Sequence, residues 1–404
     1  MRDYLFVYPT LRPVGGAEFT AAWMLQCLLE RGNVTAVTID RPDLEALERA
    51  SGTALTRSAL QVVQARWYFS AHLERLGQPH QLWQLRYFIR QARRLRGRYR
   101  FCISAFNDLD LGPDVAFQYL QTAPRNHESE IQLKNYVRSP NLWKNQALAL
   151  YRGLCDWLAP WDERRIRANW TAANSIYTGQ EFTKVYQRNP ERVLFPPPVG
   201  VSLPRAAAPR PWFLSLARAN ADKGWDDAIE IVSRLRLLGH DVGLSAYIIP
   251  DQQSQLDLIQ ALADRHPEWL EVHINAPRSA IEAAIASHKF GLHTSHEESY
   301  GMAIAEMVLG GCLTAVRNQG GQTEIVKESE LQFRTVDEAV QKLNRVLRSP
   351  ALESRLLASQ QNRKDLYTRE HFCQAFHACL DDYEQMQKSE TTLPFFDGTL
   401  RGRT

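Results

Sequence analysis

The sequence predicts an α/β protein made of two successive doubly wound domains. Three observations support this fold class: the length of the chain, a regular alternation of strand-like and helix-like segments, and a proline-rich stretch between two such series. With 404 residues, the chain is longer than the roughly 250–300 residues at which a single hydrophobic core stops growing. Strands that alternate with helices are typical of parallel sheets covered on both faces.

The first domain is expected to begin with a strand, a loop, a helix and a second strand. An aromatic strand at residues 4–8 precedes a loop rich in proline and glycine, and residues 17–32 then show helical periodicity that ends at a glycine. The β-branched stretch VTAVTID at residues 34–40 is the next strand. Further strands are predicted at residues 101–105, 115–120, 171–174 and 192–195.

Residues 196–211, PPPVGVSLPRAAAPRP, separate the two domains. Proline fixes its own backbone and lacks an N–H donor, so this stretch cannot continue a helix or a central strand. The predicted domains are therefore residues 1–196 and 211–367, and a C-terminal segment, 368–404, begins with a helix suited to packing on the first domain. The second domain has predicted strands at 212–217, 241–249, 270–274 and 288–294, and helices at 224–238, 253–265 and 278–286.

Composition excludes several classes of protein. A net charge of +3 is too small to predict a nucleic-acid binder. Six scattered cysteines show neither zinc-site spacing nor the density of a disulfide scaffold, so reduced thiols are expected. No apolar run reaches the about 18 residues of a spanning helix, and the first apolar run is too short for a secretory signal. These features predict a cytoplasmic location.

Ligands of open parallel sheets bind beyond the carboxyl ends of the strands, where helix N-termini carry free amides. The segment VGGAEF, residues 14–19, falls at such a place, after the first strand. Gly15 and Gly16 allow a close backbone approach to an anion. Paired glycines before a helix also occur as ordinary turns, and the three-glycine dinucleotide fingerprint is missing.

A second candidate segment, LARANADKGWDDAIE, follows the first strand of the second domain at residues 216–230. Arg218 and Lys223 lie five residues apart there, with Gly224 at the turn before a helix. A guanidinium fork and an ammonium at this edge would hold a diphosphate. The alternative is a pair of solvated surface cations.

The third segment, HEESYGMAIAEMVLGG at residues 296–311, places Glu298 before a helix and Glu306 two turns into it. Glu298 alone could be a capping acid. Glu306, however, has apolar neighbours almost all round the helix, which predicts a buried or cleft-facing carboxylate that needs hydrogen-bond donors. Sugar hydroxyls would supply them.

This spacing of the two glutamates, together with GGQTEIV downstream, resembles the donor-site signature of retaining glycosyltransferase family 4. The resemblance extends over both domains, and its branch most similar to this chain is the mannosyltransferase branch that includes Alg11-type enzymes. The matching segments are GGAE (15–18), NDLDLG (107–112), QYLQTAP (118–124), AANSIYTGQEF (172–182), LFPPPVG (194–200), Arg218 with Lys223 and Gly224, and GGQTEIV (320–326).

The resemblance implies a GT-B fold: two Rossmann-like domains that face a cleft, with a C-terminal helix that crosses back to the first domain. It further implies transfer of a sugar, with retention, from GDP-mannose or a UDP-sugar to a hydroxyl of a glycan, a lipid-linked acceptor or a small molecule. Glu298 would lie by the donor sugar, and Glu306 would bind the ribose. Arg218 and Lys223 would hold the diphosphate, so that no metal or other cofactor is required. Gly15 and Gly16 would face the donor from the first domain, and backbone amides at the helix start would add contacts from Ser299, Tyr300, Gly301 and Met302.

One departure from the family pattern lies at Gln121, where many relatives have a histidine that meets the donor sugar or the acceptor. Gln121 is therefore a possible sugar or acceptor contact. The departure leaves open a non-catalytic partner of the same fold that binds a nucleotide or a membrane enzyme. A GT-B epimerase, which would release nucleotide without an acceptor product, is a further alternative.

Two other segments have competing interpretations. Asp108, Leu109 and Asp110 are similar to the metal-binding triplet of GT-A transferases, although a three-residue pattern is common by chance. Residues 81–100 combine seven arginines with apolar side chains. This composition suits either an interfacial helix on anionic lipid or a solvated helix on the flank of the first domain.

Overall fold

Two parallel sheets, each covered by helices, organise the chain. The structure is a computed structural model, and the fold class predicted from the sequence is confirmed: both domains are Rossmann-like. The residues that the structure describes are 2–12, 15–55, 60–65, 78–124, 142–198 and 203–391.

The first domain contains a seven-stranded sheet with the order β3-β2-β1-β4-β5-β6-β7, and every registered strand pair in it is parallel. Its described strands are β1 Arg2–Val7, β2 Gly32–Thr38, β3 Leu60–Gln64, β4 Phe101–Ser104, β5 Phe117–Leu120, β6 Trp170–Ala173 and β7 Arg192–Val193. Its described helices are α1 Gly16–Leu29, α2 Leu44–Ser51, α3 Gln78–Arg96, α4 Leu142–Leu158, α5 Glu163–Ala168 and α6 Ile176–Tyr186.

The second domain contains a six-stranded parallel sheet with the order β10-β9-β8-β11-β12-β13. Its strands are β8 Arg210–Arg218, β9 Leu244–Ile249, β10 Leu270–Ile274, β11 His288–His293, β12 Leu313–Arg317 and β13 Gln332–Phe333. Its helices are α7 Trp225–Leu237, α8 Gln253–Arg265, α9 Arg278–Ser287, α10 Met302–Leu309, α11 Gln322–Ile325, α12 Val336–Arg348 and α13 Pro350–Gln361.

Both sheets reverse their strand order at a similar point, between β1 and β4 in the first and between β8 and β11 in the second. Residues that follow these central strands lie at the crevice where open α/β sheets bind ligands. The central strands are also the most buried: Tyr4–Val7 of β1 has no exposed side chain. Gly15 and Glu298 lie in the segments that follow β1 and β11, and Arg218 is the last residue of β8.

The C-terminal helix, α14 Arg369–Thr391, belongs to the core of the first domain. Phe376 and Tyr383 pack their rings edge-on against Phe117 of β5. At the far end of the helix, the Tyr4 hydroxyl donates to buried Glu384 over 2.6 Å, and burial together with this carboxylate raises the pKa of Tyr4 to about 12. The last helix therefore joins the chain's end to its first strand.

The arginine-rich segment 81–100 forms most of α3, and its apolar side chains face inward. Phe88 and Ile89 are fully buried in a core cluster with β1 and β4. Two of the arginines are also structural, since Arg93 binds Asp110 and Arg96 binds backbone carbonyls. The structure therefore favours the flank-helix interpretation, because an interfacial helix would need these apolar residues for the lipid.

Along the parts of the chain that the structure describes, no helix combines the length and the apolar character needed to span a membrane.

Candidate active site

Two helix N-termini meet across the boundary between the domains. Helix α1 starts at Gly16 after β1, and α10 starts at Met302 after β11. A Cβ atom built on Gly16 would lie only 2.8 Å from Cγ of Met302, so the two helix starts are in contact. Neither N-cap residue, Gly15 or Gly301, provides a side-chain cap. Helix N-termini carry amides without intrahelical partners, which favours an anion between them.

Glu18 occupies the start of α1 in this structure. Its carboxylate accepts hydrogen bonds from its own backbone amide and from that of Gly15, and it lies 3.3 Å from the Tyr8 hydroxyl, which donates to it. Burial raises the pKa of Glu18, and these donors together with the charge of Arg218 offset part of the increase. Arg218 of the second domain therefore lies close enough to influence the start of α1.

Glu298 is the centre of an ionic cluster that follows β8 and β11. Its Oε1 accepts from Lys223 Nζ over 2.5 Å and from His293 Nε2 over 3.0 Å. Burial alone would raise the pKa of Glu298, but the hydrogen bond from His293 and the charge of Lys223 outweigh it and lower the pKa to about 2. Glu298 is thus a fixed negative charge at neutral pH and is unsuited to act as a general acid.

The turn that carries Lys223 is held by the loop after β11. Thr294 Oγ1 donates to the carbonyl oxygens of Lys223 (3.1 Å) and Gly224 (2.8 Å), and the His296 amide donates to the carbonyl of Asp222. Gly224 has a positive φ of 62°, and a Cβ there would lie 2.6 Å from the Thr294 carbonyl oxygen. Only glycine fits this close approach, which places the ammonium beside Glu298.

Arg218 is the last residue of β8, and its backbone is fixed while its side chain is exposed. Its carbonyl accepts from Trp225 Nε1 over 2.9 Å. The guanidinium lies 3.6 Å from the Asp251 carboxylate, and both side chains are solvent-accessible. Such an exposed pair contributes little stability, so Arg218 can exchange this partner for a ligand anion at low cost.

Glu306 is buried on α10, and it accepts a hydrogen bond from the guanidinium of Arg278. The sequence had suggested sugar hydroxyls as the donors to this carboxylate. Its Oε2 accepts from Arg278 Nη1 over 2.7 Å, and Arg278 Nε also lies 3.3 Å from Glu282. Arg278 begins α9 and was absent from the residues that the sequence singled out. A ribose bound at Glu306 would share this carboxylate with Arg278, and the ribose role stays a prediction.

The four residues from Ser299 to Met302 do not all face the cleft. Tyr300 is buried, and its ring stacks on Phe195 with centroids 5.6 Å apart. Gly301 adopts a φ of 110° that starts α10, and Met302 faces Gly16. Tyr300 can therefore reach a donor only through its backbone, and its side chain is a core residue.

Gln121 lies at the end of β5 and binds protein groups. Its Nε2 donates to the carbonyl oxygens of Ala105 (2.7 Å) and Ala17 (3.2 Å), and its backbone amide donates to Asn107 Oδ1. These bonds join the end of β4 to the start of α1. A substrate acceptor for Nε2 would replace one of them, whereas a substrate hydroxyl can donate to the amide Oε1 with both bonds kept.

The acidic triplet at 108–110 is engaged in the first domain. Asp110 is fully buried and binds Arg93 over 2.8 Å, and its carboxylate accepts from the amides of Gly112 and Asp162. Asp108 accepts from the Tyr186 hydroxyl. Among the described residues, no group of three or more histidine, cysteine or acidic side chains is arranged to hold a metal ion.

Residues 205–365 match the model of a protein family described as glycosyl transferases group 1. No curated protein sequence is significantly similar to this chain. The broader match does not reach the level of family 4 or of the Alg11 branch, and both of these assignments stay predictions.

Three solved structures illustrate the similarity of fold. The crystal structure of Anabaena HepE in complex with UDP and glucose has a TM-score of 0.65 at 14% identity and covers 94% of this chain and 100% of its own. The structure of WaaG, a glycosyltransferase involved in lipopolysaccharide biosynthesis, has a TM-score of 0.61 at 14% identity. The match covers 92% of this chain and 98% of WaaG. Sucrose-phosphate synthase from Thermosynechococcus elongatus has a TM-score of 0.64 at 13% identity. The match covers 96% of this chain and 100% of the synthase. At these identities the similarity establishes the GT-B fold.

Proposed function

We propose that this chain is a retaining glycosyltransferase that moves a hexosyl group from a nucleotide-sugar donor to an acceptor hydroxyl. The observation that carries the proposal is the cluster of Lys223, Glu298 and His293 at the carboxyl edge of the second sheet, the edge at which β8 ends with Arg218. The family match over residues 205–365 covers this cluster. HepE, whose structure contains UDP and glucose, has the same fold.

The roles of the residues follow from their charges. Breaking the bond between sugar and diphosphate leaves negative charge on the departing nucleotide and positive charge on the sugar ring. Arg218 and Lys223 would stabilise the negative charge on the nucleotide, since preorganised cations act most strongly where charge develops. Glu298, ionised at neutral pH, would face the positive charge on the sugar ring. The starts of α1 and α10 would add backbone amides.

The donor is proposed to be GDP-mannose or a UDP-sugar, and the acceptor a glycan, a lipid-linked sugar or a small molecule. Nucleotide binding can be tested by thermal unfolding with UDP or GDP. A nucleotide at about 100 times its Kd adds about 2.7 kcal/mol to stability. We expect either UDP or GDP to raise Tm by several degrees. A nucleotide-sugar that contains the same base should then act as the donor in transfer. If neither nucleotide changes Tm and no sugar of either series is consumed, the proposal is wrong.

We further propose that transfer does not need a metal ion, because Arg218 and Lys223 supply two positive charges where a divalent cation would otherwise act. The expected result is that turnover with the preferred donor is unchanged, within about twofold, after dialysis against EDTA. Restoration of a lost activity by Mg²⁺ or Mn²⁺ would contradict this. EDTA followed by excess Ca²⁺ is the control for effects of the chelator itself.

A second candidate function is that of a non-catalytic partner that binds a nucleotide. The observation that favours it is Gln121, whose amide is bonded to Ala105 and Ala17 at the place where a sugar contact was expected. Nucleotide-dependent stabilisation without hydrolysis or transfer across a panel of UDP- and GDP-sugars would select this function. Transfer with any of them would exclude it.

A further inference from the structure

A carboxylate of the second domain caps a helix of the first. Glu324 of α11 accepts hydrogen bonds from the first two amides of α6, with Oε2 2.8 Å from Ile176 N and Oε1 2.7 Å from Tyr177 N. These amides have no partners within their own helix, and the positive end of the helix dipole favours a negative charge there. One carboxylate therefore closes the junction between the domains with two charge-assisted bonds.

The side chains of the same helix turn reach the loop that carries Glu298. Ser175, the N-cap of α6, donates through its hydroxyl to the carbonyl oxygen of Ser299, and Thr178 Oγ1 donates to the same oxygen over 3.3 Å. The Tyr177 hydroxyl donates to the Glu297 carboxylate. The first turn of α6 thus binds the residues on both sides of Glu298.

The second domain supports this loop from the opposite side. The amide of Gly321 donates to the carbonyl of Glu298 over 2.7 Å. A Cβ would lie 2.6 Å from the Glu298 carbonyl oxygen if built on Gly320, and 2.2 Å from that of Ser299 if built on Gly321. The backbone of Glu298 and Ser299 is therefore held between a glycine pair of its own domain and α6 of the other domain.

We propose that Glu324 is a positioning residue for sugar transfer: by capping α6 it fixes the domain arrangement in which α6 holds Glu298 beside Lys223. The inference rests on the proposed transferase function and extends it. The inference predicts that nucleotide binding and sugar transfer depend on different contacts. Nucleotide binding belongs to the second domain through Arg218 and Lys223, whereas transfer requires that the junction with the first domain be formed.

The test compares Glu324→Gln with Ile176→Pro, which lie on opposite sides of the junction. Glutamine keeps the size of the side chain but offers one acceptor oxygen instead of two. Proline at the first position of α6 removes one of the two amides that Glu324 binds, that of Ile176, and leaves that of Tyr177. Helices tolerate proline at this position, and Ser175 already has the extended backbone that precedes proline. Ile176 is half exposed, so little packing is lost.

We expect each variant to lower kcat by about 10- to 100-fold, the range for loss of a charge-assisted hydrogen bond. The Kd for the nucleotide should stay within about threefold, because Arg218 and Lys223 are unchanged. The double variant should lose little more activity than the worse single one, since both changes break one junction. Glu330→Gln, which removes a carboxylate paired with Arg355 within the second domain, is the matched control and should retain activity.

Wild-type kcat in both variants would overturn the inference. So would a nucleotide affinity that falls in step with kcat, because the role would then be general stabilisation of the fold. If Glu324→Gln does not fold, Ile176→Pro decides alone, since it leaves the second domain intact. Absence of nucleotide binding and transfer in the wild-type protein would refute the proposed function itself, which is a distinct outcome.

Discussion

Replacing Lys223 with alanine is expected to lower kcat by about 10²–10³-fold, the effect of removing one preorganised group that stabilises charge in a transition state. The ammonium is placed 2.5 Å from Glu298 by a turn that the loop after β11 holds in four hydrogen bonds. Binding of the nucleotide should weaken as well, because the diphosphate loses a cation. Both effects can be measured by initial rates and by titration with the nucleotide identified above.

Arg218 is proposed to stabilise the same diphosphate, but its side chain contributes less to the stability of the fold than that of Lys223. Its side chain is exposed and weakly paired with Asp251, so Arg218→Ala should keep the stability of the wild type while transfer activity and nucleotide affinity fall. The double variant with Lys223→Ala should be less active than either single variant. Lys289→Ala is the matched control, because Lys289 forms a comparable ion pair with Glu353 away from the cleft. Wild-type transfer in the double variant would end the proposal that these cations hold the departing diphosphate.

The sequence was sufficient for the fold and for the edge of the sheet at which the candidate residues lie. Arg218 directly follows the predicted strand 212–217, and Lys223 and Glu298 lie in the loops after predicted strands. The carboxyl ends of parallel strands share one edge. The direct contact of Lys223 with Glu298 could not be predicted. It joins residues 75 positions apart, and it depends on the adjacency of β8 and β11, which the order of elements along the chain does not determine.

The sequence did not indicate the contacts of Glu324 and His293. Glu324 was noted only as part of GGQTEIV, and its ligand amides lie 147 and 148 residues away in the other domain. The contact of His293 with Glu298 was not predicted, although a histidine at the end of a strand five residues before an acid was a usable signal. For Tyr300 the predicted donor contact is made by the backbone, and the structure adds that its ring packs on Phe195.

The structure confirms the predicted burial of Glu306 and adds a partner that the sequence did not indicate. Its burial was predicted from the apolar residues around it, and the structure buries it. The need for donors was also correctly inferred, but a sequence cannot show that Arg278 of another helix lies within 2.7 Å. Sequence patterns thus predict where a charge is buried more readily than what neutralises it.

The second large effect is expected for Glu298→Gln, which keeps the shape of the side chain and removes its charge. We expect kcat to fall by about 10²–10³-fold, because the variant loses the fixed negative charge that is proposed to face the sugar and removes the ionic partner of Lys223. The unfolding free energy of the second domain should fall by up to about 3 kcal/mol at pH 7, the value of a pKa lowered from 4.5 to about 2. Urea unfolding monitored at pH 7, 5, 4 and 3 measures the second effect.

The pH dependence of the unfolding free energy shows whether Glu298 stabilises the protein through its charge or through the packing of its side chain. A carboxyl whose pKa is lowered by folding stabilises the protein above its unfolded pKa, and this contribution disappears as the pH falls through the folded value. The difference between wild type and Glu298→Gln should therefore be constant above about pH 5 and should shrink between about pH 4.5 and 2. Glu353→Gln is the control for an ion pair away from the cleft. A stability difference that does not change with pH would mean that Glu298 acts through its shape, and the electrostatic role given to it in transfer would lose its support.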